Sequence, residues 1–390
     1  MKVEFNEERA LAVFRILSLE WRAKRGVFAN VVLPQDRLRR LPRNNERKIN
    51  FLFYSALFMR GGIISEDPFR WLIALYDAWP EYFNPEFIVR KGLTPDDIKK
   101  AFIAITPKVL AQNGLVKRRK ENGSGQPFAY KIEQHAKAWI ANSQFFVDRF
   151  KGNILNIYDG VRDFEEAFAR VNRKDQWKYN GDGIMGMRRK IFALFTIWLQ
   201  EKHLLPLFPT PIPVDFHALR VLWATRIFHL PNLPPFKIKD RHPKSYAGKT
   251  VTQVREKLID AVTLWSQTFL FENRISHLAI NPALWVLSRD LCANHFQNST
   301  ASKGTILREP ADLISGQLRW PVGYKDPCQV CPIEQYCEGV APAAPYYIWG
   351  ILMRLPRVPY IENMAQMALP VLEEEASSLL RKMRRRSVKK

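Results

Sequence analysis

The sequence predicts an all-α protein, and three observations predict it. Apolar residues recur at three- and four-residue spacing through most of the chain, β-type alternation is scarce, and the Pro, Gly and Thr/Asp punctuation is that of helix ends. No repeat stands out at periods of roughly 20–50 residues, so a solenoid or propeller is not expected.

Taken in order, residues 7–22 form a first helix with Ala10, Val13, Phe14 and Leu17 on one face. A basic segment follows, with Arg37, Arg39, Arg40, Arg43, Arg47 and Lys48 interrupted by Pro34 and Pro42. A second helix is expected over 49–59, stopped by Gly61-Gly62, and a third over 68–79. Thr94-Pro95-Asp96-Asp97 is a helix start, with a Thr cap, Pro in the first turn and acids at the positive end of the dipole. The stretch 117–128 reads as a basic loop with an Asn122-Gly123 turn. Helices return over 133–150, 161–171 and 188–202. Pro206, Pro209, Pro211 and Pro213 then hold the chain extended, because each fixes φ and removes a donor. Helices resume at 216–228, 252–271 and 282–292, followed by an irregular stretch at 297–320. Residues 361–390 read as an amphipathic helix running into a basic tail with Arg381, Lys382, Arg384, Arg385, Arg386, Lys389 and Lys390.

At 390 residues the chain is long enough for two or three domains, and 47% hydrophobic residues can build a packed core. Sixty Lys and Arg against 38 Asp and Glu leave a formal charge of +22, which points to a polyanionic partner, nucleic acid first. Solubility by charge, or contact with an anionic membrane surface, would give the same balance. The N-terminus carries Glu4, Glu7 and Glu8 where a secretory leader would be basic and then apolar. No run approaches the roughly 18 apolar residues of a spanning helix. A cytoplasmic protein that spans no membrane is therefore expected, associated with the nucleoid if prokaryotic, and a monomer.

In a reducing compartment four cysteines point to metal or catalysis before disulfides. Cys328, Cys331 and Cys337 form C-x2-C-x5-C, a spacing that lets one tight turn grip a metal centre, and Cys292 is the remaining thiol. Leu284, Leu287 and Leu291 share the face that would carry it into place. Four thiolates suit an iron–sulfur cluster or structural zinc; His295 replacing Cys292 would also suit zinc. Four buried cysteines acting as small hydrophobes are the bland alternative.

One further segment separates these readings. Pro213-Val214-Asp215-Phe216-His217-Ala218-Leu219-Arg220-Val221 resembles the V-D-T-H-x-x-R-V segment of the endonuclease III branch of the helix-hairpin-helix DNA glycosylases. Gln253 to Leu258 resembles the next helix of that family, and Ala283 to Cys292 the helix that delivers the first cluster cysteine. The C-x2-C-x5-C motif matches as well. More loosely, residues 51–87 and 135–172 resemble the helix pairs that open the glycosylase core and lead to its hairpin.

The resemblance implies a two-lobed helix-hairpin-helix glycosylase fold. Residues 1–64 would pack with the cluster lobe, 65–213 would form a helical bundle ending in the hairpin, and 214–345 would hold the cluster, with 293–327 inserted and 346–390 as a C-terminal helix and tail. It implies a [4Fe–4S] cluster on Cys292, Cys328, Cys331 and Cys337, and a catalytic carboxylate, Asp215, at a pocket between the lobes. By type and position alone Asp215 is an ordinary N-cap. In the implied role it stabilises the oxocarbenium character that develops as the C1′–N bond breaks, or orients water. The substrate base would be flipped out of DNA. Gly183, Gly186, Arg188 and Arg189, within Gly183 to Lys190, stand for the DNA-binding hairpin, whose backbone N–H groups bind phosphate.

The chain departs from the family in four places. Cys292 and Cys328 flank 35 residues where the family has six. The hairpin lacks its L-P-G-V-G-x-K pattern. Arg188 stands nearest the lyase lysine, and Lys190 reaches that register only after a two-residue shift. Leu57 replaces the Gln that fills the vacated base stack. These departures imply a monofunctional glycosylase without lyase activity. They leave two alternatives: an N-glycosylase for RNA or a modified nucleotide, and a non-catalytic iron–sulfur protein that binds nucleic acid. Trp177 and Tyr179 would stack a base or serve the core. Arg220 would match the family arginine or form a surface ion pair. Residues 117–120, 237–244 and 381–390 would contact phosphate or remain solvated.

Overall fold

The computed structural model describes residues 2–36, 42, 44–59, 66–113, 132–172, 183–231, 245–246, 249–292 and 330–337. These residues are mostly helical, as the periodicity requires. The described strands form two short antiparallel pairs. The expectations for 117–128, 173–182, 237–244, 293–327 and 346–390, with Cys328, His295, Trp177 and Tyr179, lie outside the described residues. No helix among the described residues is long and apolar enough to cross a membrane.

The chain forms two compact units, one from residues 1–33 and 211–390, the other from 34–210. The division falls earlier than the sequence suggested. The helix α2, Asn45–Ala56, was expected with the cluster lobe but belongs to the 34–210 unit. Its residues Phe51, Phe53 and Tyr54 pack against Phe83, Trp139, Phe146 and Phe195. From Ile49 to Ala56 the helix is buried all round, so it must be enclosed by neighbours, and this aromatic core encloses it.

In the 34–210 unit, α2 begins a turn earlier than predicted because the Asn44 side chain accepts from Arg47 N at 3.1 Å. Then come α3 (Glu66–Ala78), α4 (Pro85–Arg90), α5 (Pro95–Asn113), α6 (Ile132–Phe150), α7 (Phe164–Val171) and α8 (Arg189–Glu201). The start of α5 is a reciprocal cap. Asp97 Oδ2 accepts from Thr94 N at 2.9 Å, and Asp97 N donates back to Thr94 Oγ1 at 3.3 Å. Asp163 caps α7 by accepting from Glu166 N at 3.0 Å, so that helix starts later than the apolar pattern alone suggests.

In the other unit, α1 (Glu7–Arg22) packs its buried Ala10, Val13, Phe14 and Leu17 into a core with α9 (Phe216–Ala224), α10 (Val251–Glu272) and α11 (His277–Val286). The helix α9 ends four residues before the predicted boundary. The chain turns through Arg226 at positive φ and pairs as β2 (Phe228–His229) with β1 (Glu4–Phe5). Phe5 stacks on Trp265 with ring centroids 4.3 Å apart. The second pair is β3 (Ser245–Tyr246) with β4 (Lys249–Thr250). Beyond α11 the chain widens into a single π-helical turn, Leu287–Cys292.

Candidate functional site

The proline run that leads to Asp215 is extended, and buried polar side chains hold it. In the 34–210 unit, Gln200 Nε2 donates to the carbonyls of Pro206 at 3.2 Å and Phe208 at 3.4 Å, and Thr210 Oγ1 donates to Gln200 Oε1 at 3.4 Å. In the other unit, Ile212 N donates to Ser266 Oγ at 3.4 Å. Residues 211–214 are buried, and Asp215 follows, half-buried and still extended at φ −135°. Its Oδ1 accepts from His217 N at 2.8 Å and Ala218 N at 3.2 Å. The carboxylate is thus the N-cap of α9, fixed against the positive end of the helix dipole.

One turn along, Arg220 is only 6% exposed. It is not the surface ion pair that was one of its two expected roles. Its Nη1 donates to the main-chain carbonyl of Ser288 at 2.9 Å and to Ser288 Oγ at 3.2 Å. Ser288 lies in the π turn, a local widening of the kind often found at functional sites. His217 Nδ1 sits 3.1 Å from the same hydroxyl, and the imidazole meets Trp285 edge-on. Burial opposes the Arg220 charge, while Cys292 and Asp215 favour it. A second arginine, Arg289, is 4% exposed, with its guanidinium 4.5 Å over the Trp285 ring.

Cys292 closes the π turn behind Leu284, Leu287 and Leu291, all three buried as their shared face predicts. The described part of the cysteine loop, residues 330–337, folds on itself. Glu334 N donates to Cys331 O at 3.2 Å, and Cys337 N donates to Glu334 O at 2.9 Å. Ile333 sinks into the core shared with α1 and α11. Cys292, Cys331 and Cys337 carry thiols, not disulfides. Among the described residues no three His, Cys, Asp or Glu side chains stand close enough together to hold one metal ion.

Burial, then Cys331 and Cys337, push the Cys292 thiol upward, and Arg220 draws it back down. A cation centred among such thiols reverses this balance, because thiolates release their protons to bind metal. By residue type alone, thiols suit a thiolate-ligated metal group. Cys292, Cys331 and Cys337 would hold it here, with Cys328 from outside the described residues.

The candidate hairpin lies in the other unit, between α7 and α8. Ile184 N donates to Val171 O at 2.9 Å. A Cβ at Gly183 would stand 2.4 Å from that same carbonyl, so only glycine allows the approach. Gly186 turns the chain at φ +81°. Asn142 of α6 clamps the turn: Met185 N donates to its Oδ1 at 2.6 Å, and its Nδ2 donates to Met185 O at 3.0 Å. Arg188 is exposed at the N-cap of α8, which has no side-chain cap, and Lys190 is half-buried. Arg189 forms an ion pair with Glu165 and lies 4.7 Å over the Phe168 ring, so its charge serves the packing of α7 on α8. Leu57 is buried in the aromatic core.

Sequence reasoning passed over Ser288, Asn142 and Gln200. Each is a polar residue set among apolar positions of its helix, and that mismatch was the available signal: buried polar groups need partners. Which partners they find is decided by chain segments far away in sequence. Comparison of the chain with family models, with curated proteins and with solved structures finds no match.

Proposed function

We propose that this protein is a monofunctional DNA N-glycosylase that hydrolyses the N-glycosidic bond of a flipped modified or mismatched base. The observation that carries the reading is Arg220. From the helix that Asp215 caps, it donates to the carbonyl and hydroxyl of Ser288, in the turn that ends in Cys292. One short helix thus joins a capped carboxylate to a thiol at the end of the π turn. The sequence motif around Asp215 and the order of the cysteines support the same reading, as does the charge of +22.

In this reading the Asp215 carboxylate, held beside the first turn of α9, faces the sugar. As the C1′–N bond lengthens, its fixed charge stabilises the positive charge growing on the sugar. Water supplies a hydroxyl to C1′, and the base departs with a proton. His217 and Ala218 hold the carboxylate in place by their N–H groups, so little reorganisation is needed. A [4Fe–4S] cluster on Cys292, Cys328, Cys331 and Cys337 would supply local order and charge beside the nucleic acid, not bond cleavage. Arg188 at the start of α8 meets phosphate, together with the first-turn N–H groups.

The test is product analysis after incubation with duplex DNA carrying a panel of modified and mismatched bases, with parallel arms of RNA and modified nucleotides. Release of a free base with an intact abasic strand is the expected result. Release only from RNA or nucleotides moves the substrate. A second reading, a non-catalytic iron–sulfur protein that binds nucleic acid, draws on Asp215 serving α9 as its cap; tight binding without release in any arm selects it.

A further inference from the structure

Ser288, in the π turn after α11, is fully buried. Among the described residues its hydroxyl oxygen meets two groups, Arg220 Nη1 at 3.2 Å and His217 Nδ1 at 3.1 Å. A guanidinium carries donors and no acceptor, so Arg220 gives a hydrogen to Ser288 Oγ and takes none. The same Nη1 donates to the Ser288 carbonyl at 2.9 Å, which fixes its direction. The hydroxyl hydrogen then has one acceptor in reach, the lone pair on His217 Nδ1. In the other arrangement His217 donates from Nδ1. Ser288 Oγ would then receive two hydrogens, and its own hydrogen would stand in a dry interior without an acceptor, which costs free energy. The count of hydrogens therefore selects the neutral imidazole protonated at Nε2. This selection depends on the partners of the buried hydroxyl and not on what else the imidazole meets.

We propose that Ser288 is a positioning residue that holds His217 as the neutral Nε2–H tautomer and so bars it from acting as a base; the catalytic consequence rests on the glycosylase reading. With Nδ1 filled by the Ser288 hydrogen and Nε2 carrying its own, the imidazole has no lone pair with which to take a proton from water. His217 stands two residues after Asp215 and holds that carboxylate through its main-chain N–H at 2.8 Å. Proton transfer from water then falls to Asp215. In that step the water oxygen bonds to C1′ and the C1′–N electron pair leaves with the base. One water proton passes to the carboxylate, and solvent protonates the base. Arg220 and Ser288 act on the reaction through His217, without touching substrate.

The experiment records the ring-nitrogen shifts of the full chain, isotopically labelled at its histidines, at about pH 8, where an ordinary imidazole of pKa about 6.5 is neutral. The chain has seven histidines, and the signals missing in His217→Gln identify this one. A single tautomer shows one protonated and one unprotonated nitrogen, whereas exchange between tautomers draws the two shifts together. Wild type is expected to show His217 protonated at Nε2 and bare at Nδ1, and in Ser288→Ala the two shifts are expected to converge. A protonated Nδ1 in wild type, or averaged shifts, overturns the proposal whether or not the variant folds. Unchanged shifts in a folded Ser288→Ala protein overturn the role of Ser288. Base release is the second arm. His217→Gln is expected to slow it by no more than about tenfold, since loss of a general base costs about 10²–10⁴. A loss of that larger size, in folded protein that binds DNA as wild type does, makes His217 a base and overturns the proposal. If wild type releases no base from any substrate, the glycosylase reading fails and the nitrogen shifts decide alone: a fixed Nε2–H tautomer that Ser288→Ala loosens upholds the positioning role, and any other result overturns it.

Discussion

Arg220 donates to the carbonyl and the hydroxyl of Ser288, at 2.9 and 3.2 Å, in the turn that ends in Cys292. Two helices distant in sequence are joined by one guanidinium, and the carboxylate helix cannot shift without the thiol turn. Replacing Arg220 with Met leaves a carbonyl and a hydroxyl without this donor in a dry interior. We expect a loss of about 2–3 kcal/mol, read as a lower urea midpoint at unchanged slope, with iron content falling in parallel. Full stability in the variant would show that the contact contributes nothing net.

Asp215→Asn separates capping from catalysis. Asparagine keeps an oxygen for His217 N and Ala218 N, so stability is expected to change little, whereas Asp215→Ala loses the cap and about 1 kcal/mol. Loss of the charge is expected to lower base release by about 10²–10³, with DNA affinity and iron content near wild type. Equal release by a folded Asp215→Asn protein would make the carboxylate a cap and nothing more.

Asn142 holds the turn at Met185 by two buried bonds of 2.6 and 3.0 Å. Asn142→Ala leaves both main-chain groups unpaired, a cost of about 2–4 kcal/mol. The hairpin amides should exchange faster, and duplex DNA affinity should fall. Unchanged exchange at Met185 and Gly186 would refute the clamp.

His277 begins α11, and burial lowers its pKa from the ordinary 6.5 to about 4. The folded state therefore binds this proton less readily than the unfolded chain. The stability it permits is complete above pH 6.5 and is lost as pH falls towards 4. The change is at most about 3 kcal/mol, and less for the part of the ring that keeps water. Stability measured from pH 7 to 4 should decline less steeply in His277→Gln, and identical slopes would remove His277 as the cause.

The cysteines predict metal. Anaerobic protein should contain about four iron per chain, the load of one four-iron cluster on four thiolates. Cys331→Ser should lose most of it. Stoichiometric zinc without iron would replace the cluster by a structural zinc site.

What the sequence determined by itself is the local part of this protein. The boundaries of α1, the Thr94–Asp97 start of α5, the extended proline run and the capping position of Asp215 depend on residues a few places apart, and their side chains meet within one turn. The shared face of Leu284, Leu287 and Leu291 is equally legible, because helical period sets it. Tertiary structure decided the rest. That α2 joins the aromatic core of the 34–210 unit follows from Phe83, Trp139 and Phe195 packing on it, and a run of apolar residues such as Phe51, Leu52 and Phe53 carries no mark of which core will enclose it. Residues 4–5 and 228–229 pair as strands too short to show an alternating pattern. Arg220 reaches Ser288, Asn142 reaches Met185, and Arg9 reaches Tyr336 because buried polar groups take whatever partner the packing brings near. Local bonding is encoded by spacing along the chain; those partners are chosen only when the helices close on one another and water is excluded.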